Sequence, residues 1–263
     1  MKATLLRDIN RLDPNTTINR IVRGVKIVYE EMGANGILVN VKNTLSSFIN
    51  IIIAIRTAGR SNCYGIYFEK PHSNIKNIER IYTLSRFNLS RLDIKHVYKY
   101  VIKNMPDLGF SRRLSKITKH EIENDIELLV LRFYAKKNNY LLCGDLDRTR
   151  WLTGAFSRYL TGSVDILPLT SVYKTQLKLI AKRLRIAHLA KNAEEPREWL
   201  EFKREIGIEN IPDEKIDAIL YGFDNNWTIK QIADDLEIDE DIIRKIRTVV
   251  DSTDIIRHLP LTL

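Results

Sequence analysis

Two hydrophobic rhythms alternate along the chain. From Asn15 to Gly33, apolar residues fall at Ile18, Ile21, Val22, Val25, Val28 and Tyr29. That spacing lines one face of a helix, and Gly33 stands where a helix can close in a left-handed turn. Short apolar runs follow at Ile37 to Val41, Cys63 to Phe68, Leu92 to Ile94 and Tyr140 to Cys143, and such continuity suits strands buried on both faces. Helical spacing returns between them, over 46–58, 74–87 and 118–137. Strands and helices in alternation predict βαβ units with right-handed crossovers, and so an α/β fold with a mainly parallel sheet and helices on both faces.

The last third changes rhythm. Helical patterns cover 170–186, 213–222, 228–236 and 239–250, with a charged connection from Asn192 to Arg204. We expect one domain over 1–263, its sheet core in 1–169 and a mostly helical part in 170–263. Thr228 to Arg247 has the outline of a helix-turn-helix with Ile232, Ala233, Leu236, Ile238, Ile242 and Ile246 as its seam. The second helix opens with Asp239, Glu240 and Asp241, beside Asp234, Asp235 and Glu237. Acids so placed repel a polyanion, so the pair reads as a packing element.

Charge sharpens this picture. The chain carries a net charge of +9 over 263 residues, and between Lys70 and His120 twelve Lys or Arg stand against three acids. The whole excess therefore lies in one stretch, which could face nucleic acid, an acidic partner or an anionic ligand. The apolar run Phe48 to Ile55 is interrupted by Asn50 and closed by Arg56, too short for a membrane span. The N-terminal residues carry acids and lack a signal-like apolar centre, so a cytoplasmic location is expected. Cys63 and Cys143 lie in strand-like runs and read as reduced core residues. The histidines at 72, 96, 120, 188 and 258 are scattered, without an i, i+4 pair or a Cys-X-X-Cys motif, and read as surface residues; no metal site is expected from them. Gly-X-Ser-X-Gly, Walker and Gly-X-Gly-X-X-Gly motifs are absent from the sequence.

The strand ending at Val41 runs directly into Lys42-Asn43-Thr44-Leu45 and a helix. Such junctions hold phosphates in α/β folds, because helix N-termini present free N–H groups and a positive dipole end. This turn has no glycine. Lys42 with the N–H groups of Ser46 and Ser47 remains a candidate anion site.

One longer segment carries more. Leu152 to Leu177, LTGAFSRYLTGSVDILPLTSVYKTQL, resembles a run of the ammonia-dependent NAD synthetases, members of the ATP-pyrophosphatase superfamily. The likeness extends to Gly109-Phe110, to DEKIDAILYG at 213–222 and weakly to the ending DSTDIIRHLP at 251–260. It implies a Rossmann-like sheet, a homodimer and a two-step reaction. ATP with magnesium adenylates the nicotinate carboxylate of deamido-NAD, and ammonia then displaces AMP.

The same likeness assigns roles, and many positions depart from it. The family loop Ser-Gly-Gly-X-Asp-Ser falls on Lys42 to Ser47, so Asn43 and Thr44 replace its glycines and Ser46 its metal-binding Asp. Asp145 replaces an ATP-contacting Thr and Arg150 a metal carboxylate. Acids including Asp125 and Glu127 stand on a helix where the family has arginines, and Asp254-Ile255 replaces a His-Lys pair. Matching residues are Lys174 for an ATP-contacting Lys, and Arg158 and Asp165 for substrate contacts. Candidate ATP contacts are thus Lys42, Ser46, Ser47 and Lys174, and candidate substrate contacts Arg158 and Asp165. The replacements lead us to expect a noncatalytic or weakly active paralogue, a homodimer or the partner of an active NAD synthetase. The alternative is a divergent working synthetase in which Lys42, Arg148 or Arg150 replaces metal charge, with ATP and magnesium as cofactors. A third reading is a nucleic-acid or anionic-partner module using residues 70–119.

Overall fold

The computed structural model describes residues 3–69, 75–105, 116–157 and 163–257, with the backbone alone at 116 and 117. Along the chain lie α1 (Thr4–Ile9), α2 (Pro14–Glu31), β1 (Gly36–Val41), α3 (Leu45–Ala58), β2 (Cys63–Phe68), α4 (Lys76–Ser85), β3 (Asn88–Leu92) and α5 (Lys95–Asn104). Then come α6 (Lys116–Asn138), β4 (Tyr140–Cys143), α7 (Arg148–Thr153), α8 (Lys174–Arg183), α9 (Ala187–Ala190), α10 (Arg197–Glu205), α11 (Asp213–Asp224), α12 (Ile229–Leu236), α13 (Glu240–Ser252) and α14 (Asp254–Arg257).

The strands pair in parallel in the order β3-β2-β1-β4, with Ile37 opposite Cys63 and Gly36 opposite Tyr140. The winding therefore reverses at β1. Outward steps to β2 and β3 are followed by a return through α6 that sets β4 on the other side. A reversal of this kind leaves a crevice beyond the carboxyl ends of the two strands that flank it.

Alternation along β1 decides which side chains meet which helices. Ile37, Val39 and Val41 pack with Ile18, Val25, Phe48, Ile51, Ile81 and Ile180 of α2, α3, α4 and α8. Leu38 turns to the other face, with Ile66, Phe68 and Leu142 against Leu128, Leu131 and Ala135 of α6. Each such side chain contributes roughly 1.5–3 kcal/mol when fully buried. Asn40 follows Leu38 on the α6 face, and there the apolar pattern gives way to polar chemistry.

A separate cluster joins the two ends of the chain. Leu5 and Ile9 of α1 pack with Trp199, Phe202, Ile216, Ile219, Ile232, Leu236, Ile243 and Ile246. The helix-turn-helix outline is thus part of a core, in which Ile243 rather than Ile242 is buried with Ile232 and Ile246. Its acids also serve the fold, since the Thr4 and Leu5 N–H groups donate to Asp235 at 2.8 and 2.9 Å, capping α1.

The structure moves several boundaries. The third strand is Asn88–Leu92, not Leu92 to Ile94, because the ladder pairs Tyr64 with Asn88 and Phe68 with Leu92. It is a mostly exposed edge strand, so no apolar run announced it. Helix α8 starts at Lys174 rather than 170, where the Gln176 side chain accepts the Tyr173 N–H at 3.0 Å. The charged connection contains α10, whose apolar anchors are Trp199 and Phe202, stacked at 5.3 Å. Helix α5, which the sequence reading did not mark, buries no residue. Cys63 and Cys143 are buried and unpaired, and burial pushes the Cys63 thiol up to about 12. No helix among the described residues is long and apolar enough to cross a membrane.

Candidate functional site

Polar side chains converge where β1 and β4 end. Thr44 takes an extended conformation and caps α3, its Oγ1 accepting the Ser47 N–H at 3.3 Å. The Ser47 hydroxyl donates to the Asn40 carbonyl at 3.1 Å and accepts the Lys42 N–H at 3.0 Å. The turn is therefore closed by hydroxyls without glycine. Asp145, just past β4, lies 3.5 Å from Thr44 Oγ1 and 3.4 Å from Ser46 Oγ through one carboxylate oxygen.

Arg150 completes this wall from α7. Its Nε donates to Asp147 at 2.7 Å, and its Nη2 to the Asp145 carbonyl at 2.5 Å and to Ser46 Oγ at 3.3 Å. Asp147 also caps α7 by accepting the Arg150 N–H at 3.0 Å. Both side chains are buried. Burial works against the guanidinium charge, but Asp147 and Asp145 outweigh it and keep Arg150 protonated.

A cavity of about 330 Å³ opens beside this wall, lined among others by Asn40, Lys42, Thr44, Glu127, Asp145 and Arg150. Burial disfavours the Lys42 ammonium, yet the charges of Asp145, Glu127 and Glu198 more than offset it and hold Lys42 protonated. Burial alone would raise the Glu198 carboxyl; His120 and Lys42 reverse the sign and keep it below the ordinary carboxylate range. Asn124 donates to Glu198 at 2.9 Å and lies 3.3 Å from His120. Two protonated cations and several carboxylates thus share one cavity.

Residues 17–260 match the sequence profile of a family described as NAD synthase. The chain belongs to this family. The NH(3)-dependent NAD(+) synthetase of Pyrobaculum aerophilum is 29% identical over 216 residues, covering 81% of this chain and 79% of that protein. The enzyme of the same name from Methanocaldococcus jannaschii is 22% identical over 263 residues, covering 93% and 95%. The solved structure of the NH3-dependent NAD synthetase from Campylobacter jejuni superposes with a TM-score of 0.75 at 16% identity, covering 96% of this chain and 99% of that one. The NMN synthetase from Francisella tularensis gives 0.77 at 16% identity, again covering 96% and 99%. At such identity these two establish the shared α/β fold.

Within the NAD synthase frame, the fold brings Lys42, Asn43, Thr44, Ser46, Ser47, Glu127, Asp145 and Arg150 together and separates the rest. Lys174 lies on the other side of the turn, its Nζ 2.6 Å from Asp213 and 2.5 Å from Glu195, beside a smaller cavity of about 110 Å³ that also contains Ser46. Asp165 accepts the Leu142 N–H at 2.7 Å and fixes the chain after β4. Asp125 is exposed and accepts from Ser157 at 3.4 Å. Asp254 pairs with Arg257 at 2.8 Å and Ile255 is exposed, both on α14. Arg148 points away, to Asp224 at 2.6 Å. Arg158 lies outside the described residues, as do Gly109-Phe110, His72, His258 and part of the basic stretch, including Lys70, Arg112 and Arg113.

Sequence reasoning missed Asn40, Asn124 and Glu198, and it read His120 as a surface residue although its side chain is only 12% exposed. Asn40 alone left a trace, as the polar position inside an apolar strand. Glu198 and His120 come from helices 78 positions apart in the chain, so no local spacing joins them.

The donors at this turn are a poor match for magnesium. The oxygens at the turn are the Thr44, Ser46 and Ser47 hydroxyls and the Asp145 carboxylate; Ser47 is already bonded within the turn, and Arg150 takes the Ser46 hydroxyl. No group of three or more His, Cys, Asp or Glu among the described residues is placed to hold a metal. These residues do not fit a resident magnesium ion, which needs a near-octahedral oxygen set.

Proposed function

We propose that the chain is a working, divergent ammonia-dependent NAD synthetase that acts as a homodimer in the cytoplasm. One observation carries this reading: Lys42 and Arg150, both protonated, converge on the cavity at the strand switch point. The names of the similar proteins favour turnover over the noncatalytic paralogue expected from the replacements.

In the first step a deamido-NAD carboxylate oxygen bonds to the α-phosphorus of ATP, and the bond to the leaving pyrophosphate breaks. Positive charge fixed in a water-poor site stabilises the charge that develops there, and Lys42 and Arg150 supply it. In the second step ammonia forms a C–N bond to the acyl carbon, AMP leaves with its oxygen, and one proton is released. Asn40, Asn124 and Glu198 present the polar groups that orient the acyl end.

NAD formation from deamido-NAD, ATP and ammonia tests this, run with and without magnesium. The neighbour called NMN synthetase makes a mononucleotide acid the parallel substrate. Lys42→Met is expected to reduce kcat by about 100-fold or more, with the fold intact by circular dichroism. Unchanged turnover in Lys42→Met removes that lysine from the mechanism.

A second reading, of a noncatalytic family member, is favoured by one feature. Asp145 and Glu198 already offset both cations, with Glu127 acting on Lys42 and Asp147 on Arg150, which weakens their hold on a polyphosphate. No NAD from folded wild-type protein at any magnesium concentration selects this reading.

The dimer has its own support. Leu129, Phe133 and Met32, at 64%, 58% and 49% exposure, line one groove of about 590 Å³, and exposed apolar patches mark contact surfaces. Phe133→Asp is expected to convert the dimer to monomer in sedimentation velocity. A dimer that survives the substitution excludes this face.

A further inference from the structure

We infer that residues 192–196 form a strap clasped across the α3 turn, with Glu195 occupying the anion position at Lys174 until an anionic substrate displaces it. The inference rests on the cleft being a nucleotide site, and it assigns Asn43 and Glu195 as the residues that set access.

The clasp is built on Asn43. Its carbonyl accepts the Glu194 N–H at 2.6 Å, and its side-chain amide donates to Glu194 Oε1 at 2.9 Å and to the Asn192 carbonyl at 3.3 Å. Asn77 steadies it from α4, donating to Asn43 Oδ1 at 3.0 Å and to the Leu189 carbonyl at 3.3 Å. Asn43 and Asn77 are both buried, at 7% and 1% exposure. A glycine here would have only its backbone with which to hold the strap.

The second element is charge. Lys174 is almost buried, and Glu195 Oε2 sits 2.5 Å from its ammonium while 48% of the Glu195 side chain remains in solvent. A carboxylate on a lysine satisfies the same charge-assisted contact that a phosphate oxygen makes. Asp213 also holds the lysine at 2.6 Å, so Lys174 keeps a partner that fixes its position after Glu195 leaves.

The third element is space. The cavities of about 330 and 110 Å³ lie on either side of the strap and share Thr44, Glu194, Glu195 and Pro196 as lining. The larger one sits near the lower end of the range for small-molecule sites. Lifting the strap joins the two into one trough over the N-terminus of α3, with Lys42 and Arg150 at one end and Lys174 at the other. That layout suits an elongated polyphosphate better than either cavity alone.

The test uses the full chain as wild type, Asn43→Ala and Glu195→Gln, with trypsin as the strap probe and ATP as the ligand. Lys191 and Arg197 flank the strap and are exposed. Loss of the Asn43 side-chain bonds is expected to speed cleavage after Lys191 roughly tenfold. Removing the competing carboxylate in Glu195→Gln is expected to tighten ATP binding about fivefold. ATP added to wild type is expected to speed the same cleavage. Unchanged cleavage in Asn43→Ala, or unchanged ATP affinity in Glu195→Gln, overturns the inference. Wild-type turnover with neither change overturns the strap and leaves the ligase reading standing. Both changes without turnover support the strap and overturn the ligase reading, and strap opening with no ATP binding by any of the three proteins overturns both.

Discussion

Asp147→Ala is expected to destabilise the fold by about 3–5 kcal/mol, the usual cost of leaving a buried charge without its partner. Asp147 bonds the Arg150 guanidinium at 2.7 Å and also caps α7 through the Arg150 N–H at 3.0 Å. The alanine variant therefore strands a guanidinium that cannot discharge itself, since Arg holds its proton at all accessible pH values. Loss of the cap adds about 1 kcal/mol. Asp147→Asn separates the two effects, because its amide oxygen still caps the helix while the charge is gone. The double variant Asp147→Ala with Arg150→Met should recover much of the loss, as a well-packed apolar pair often replaces a buried ion pair at little cost. Urea unfolding of these three variants together with Arg150→Met alone measures the coupling. A loss below about 1 kcal/mol in Asp147→Ala would show that Arg150 finds another partner. Asp145 is the nearest alternative, and in that event the cation moves toward the cavity.

The second large effect concerns pH. Asp217 on α11 is fully buried, accepts the Thr149 hydroxyl at 2.5 Å and the Thr175 N–H at 2.7 Å, and so ties the starts of α7 and α8 together. Burial pushes its carboxyl up to about 7 against the bonds from Thr149 and Thr175, and the Asp147 charge adds to the rise. The folded chain then holds this proton more tightly than the unfolded chain does. Its contribution to stability is complete below about pH 4, falls as pH rises through about 7, and is gone above that. With a free value of 3.8 the shift corresponds to a loss on the order of 4 kcal/mol across that window. Asp217→Asn carries no such proton, so the difference between wild type and variant in urea unfolding at pH 5 and pH 8 isolates the effect. Wild type is expected to lose stability relative to the asparagine variant on going to pH 8. Parallel curves for the two proteins would mean that Asp217 titrates near its ordinary value and that Thr149 and Thr175 hold it ionised.

Both predictions concern residues that hold the site together, and the sequence treated them differently. Asp147 sits between Asp145 and Arg150, two positions the family resemblance singled out, and Asp217 lies in DEKIDAILYG, quoted only as a matching run. Arg150, three positions after Asp147, is close in the chain, but the partner of Asp217 was not visible. Thr149 and Asp217 are 68 positions apart, and the preference of a buried carboxyl for a hydroxyl leaves no period in a sequence.

What the sequence by itself determined is what repeats locally. Continuous apolar runs marked β1, β2 and β4, and helical spacing marked α2, α3, α6, α8, α11, α12 and α13, because burial imposes its pattern on the chain. The βα turn at Lys42 to Ser47 was legible as the junction of β1 and α3, and the helix pair at 228–250 as a packing element. The tertiary structure alone decided the rest. It set β3 as an exposed edge, gave the acid Asp235 to α1 as a cap, brought Glu198 and His120 to Lys42, and laid residues 192–196 over the turn. Those outcomes depend on polar groups meeting across long chain separations, where a single hydrogen bond or charge selects the partner and no neighbouring residue has to change with it.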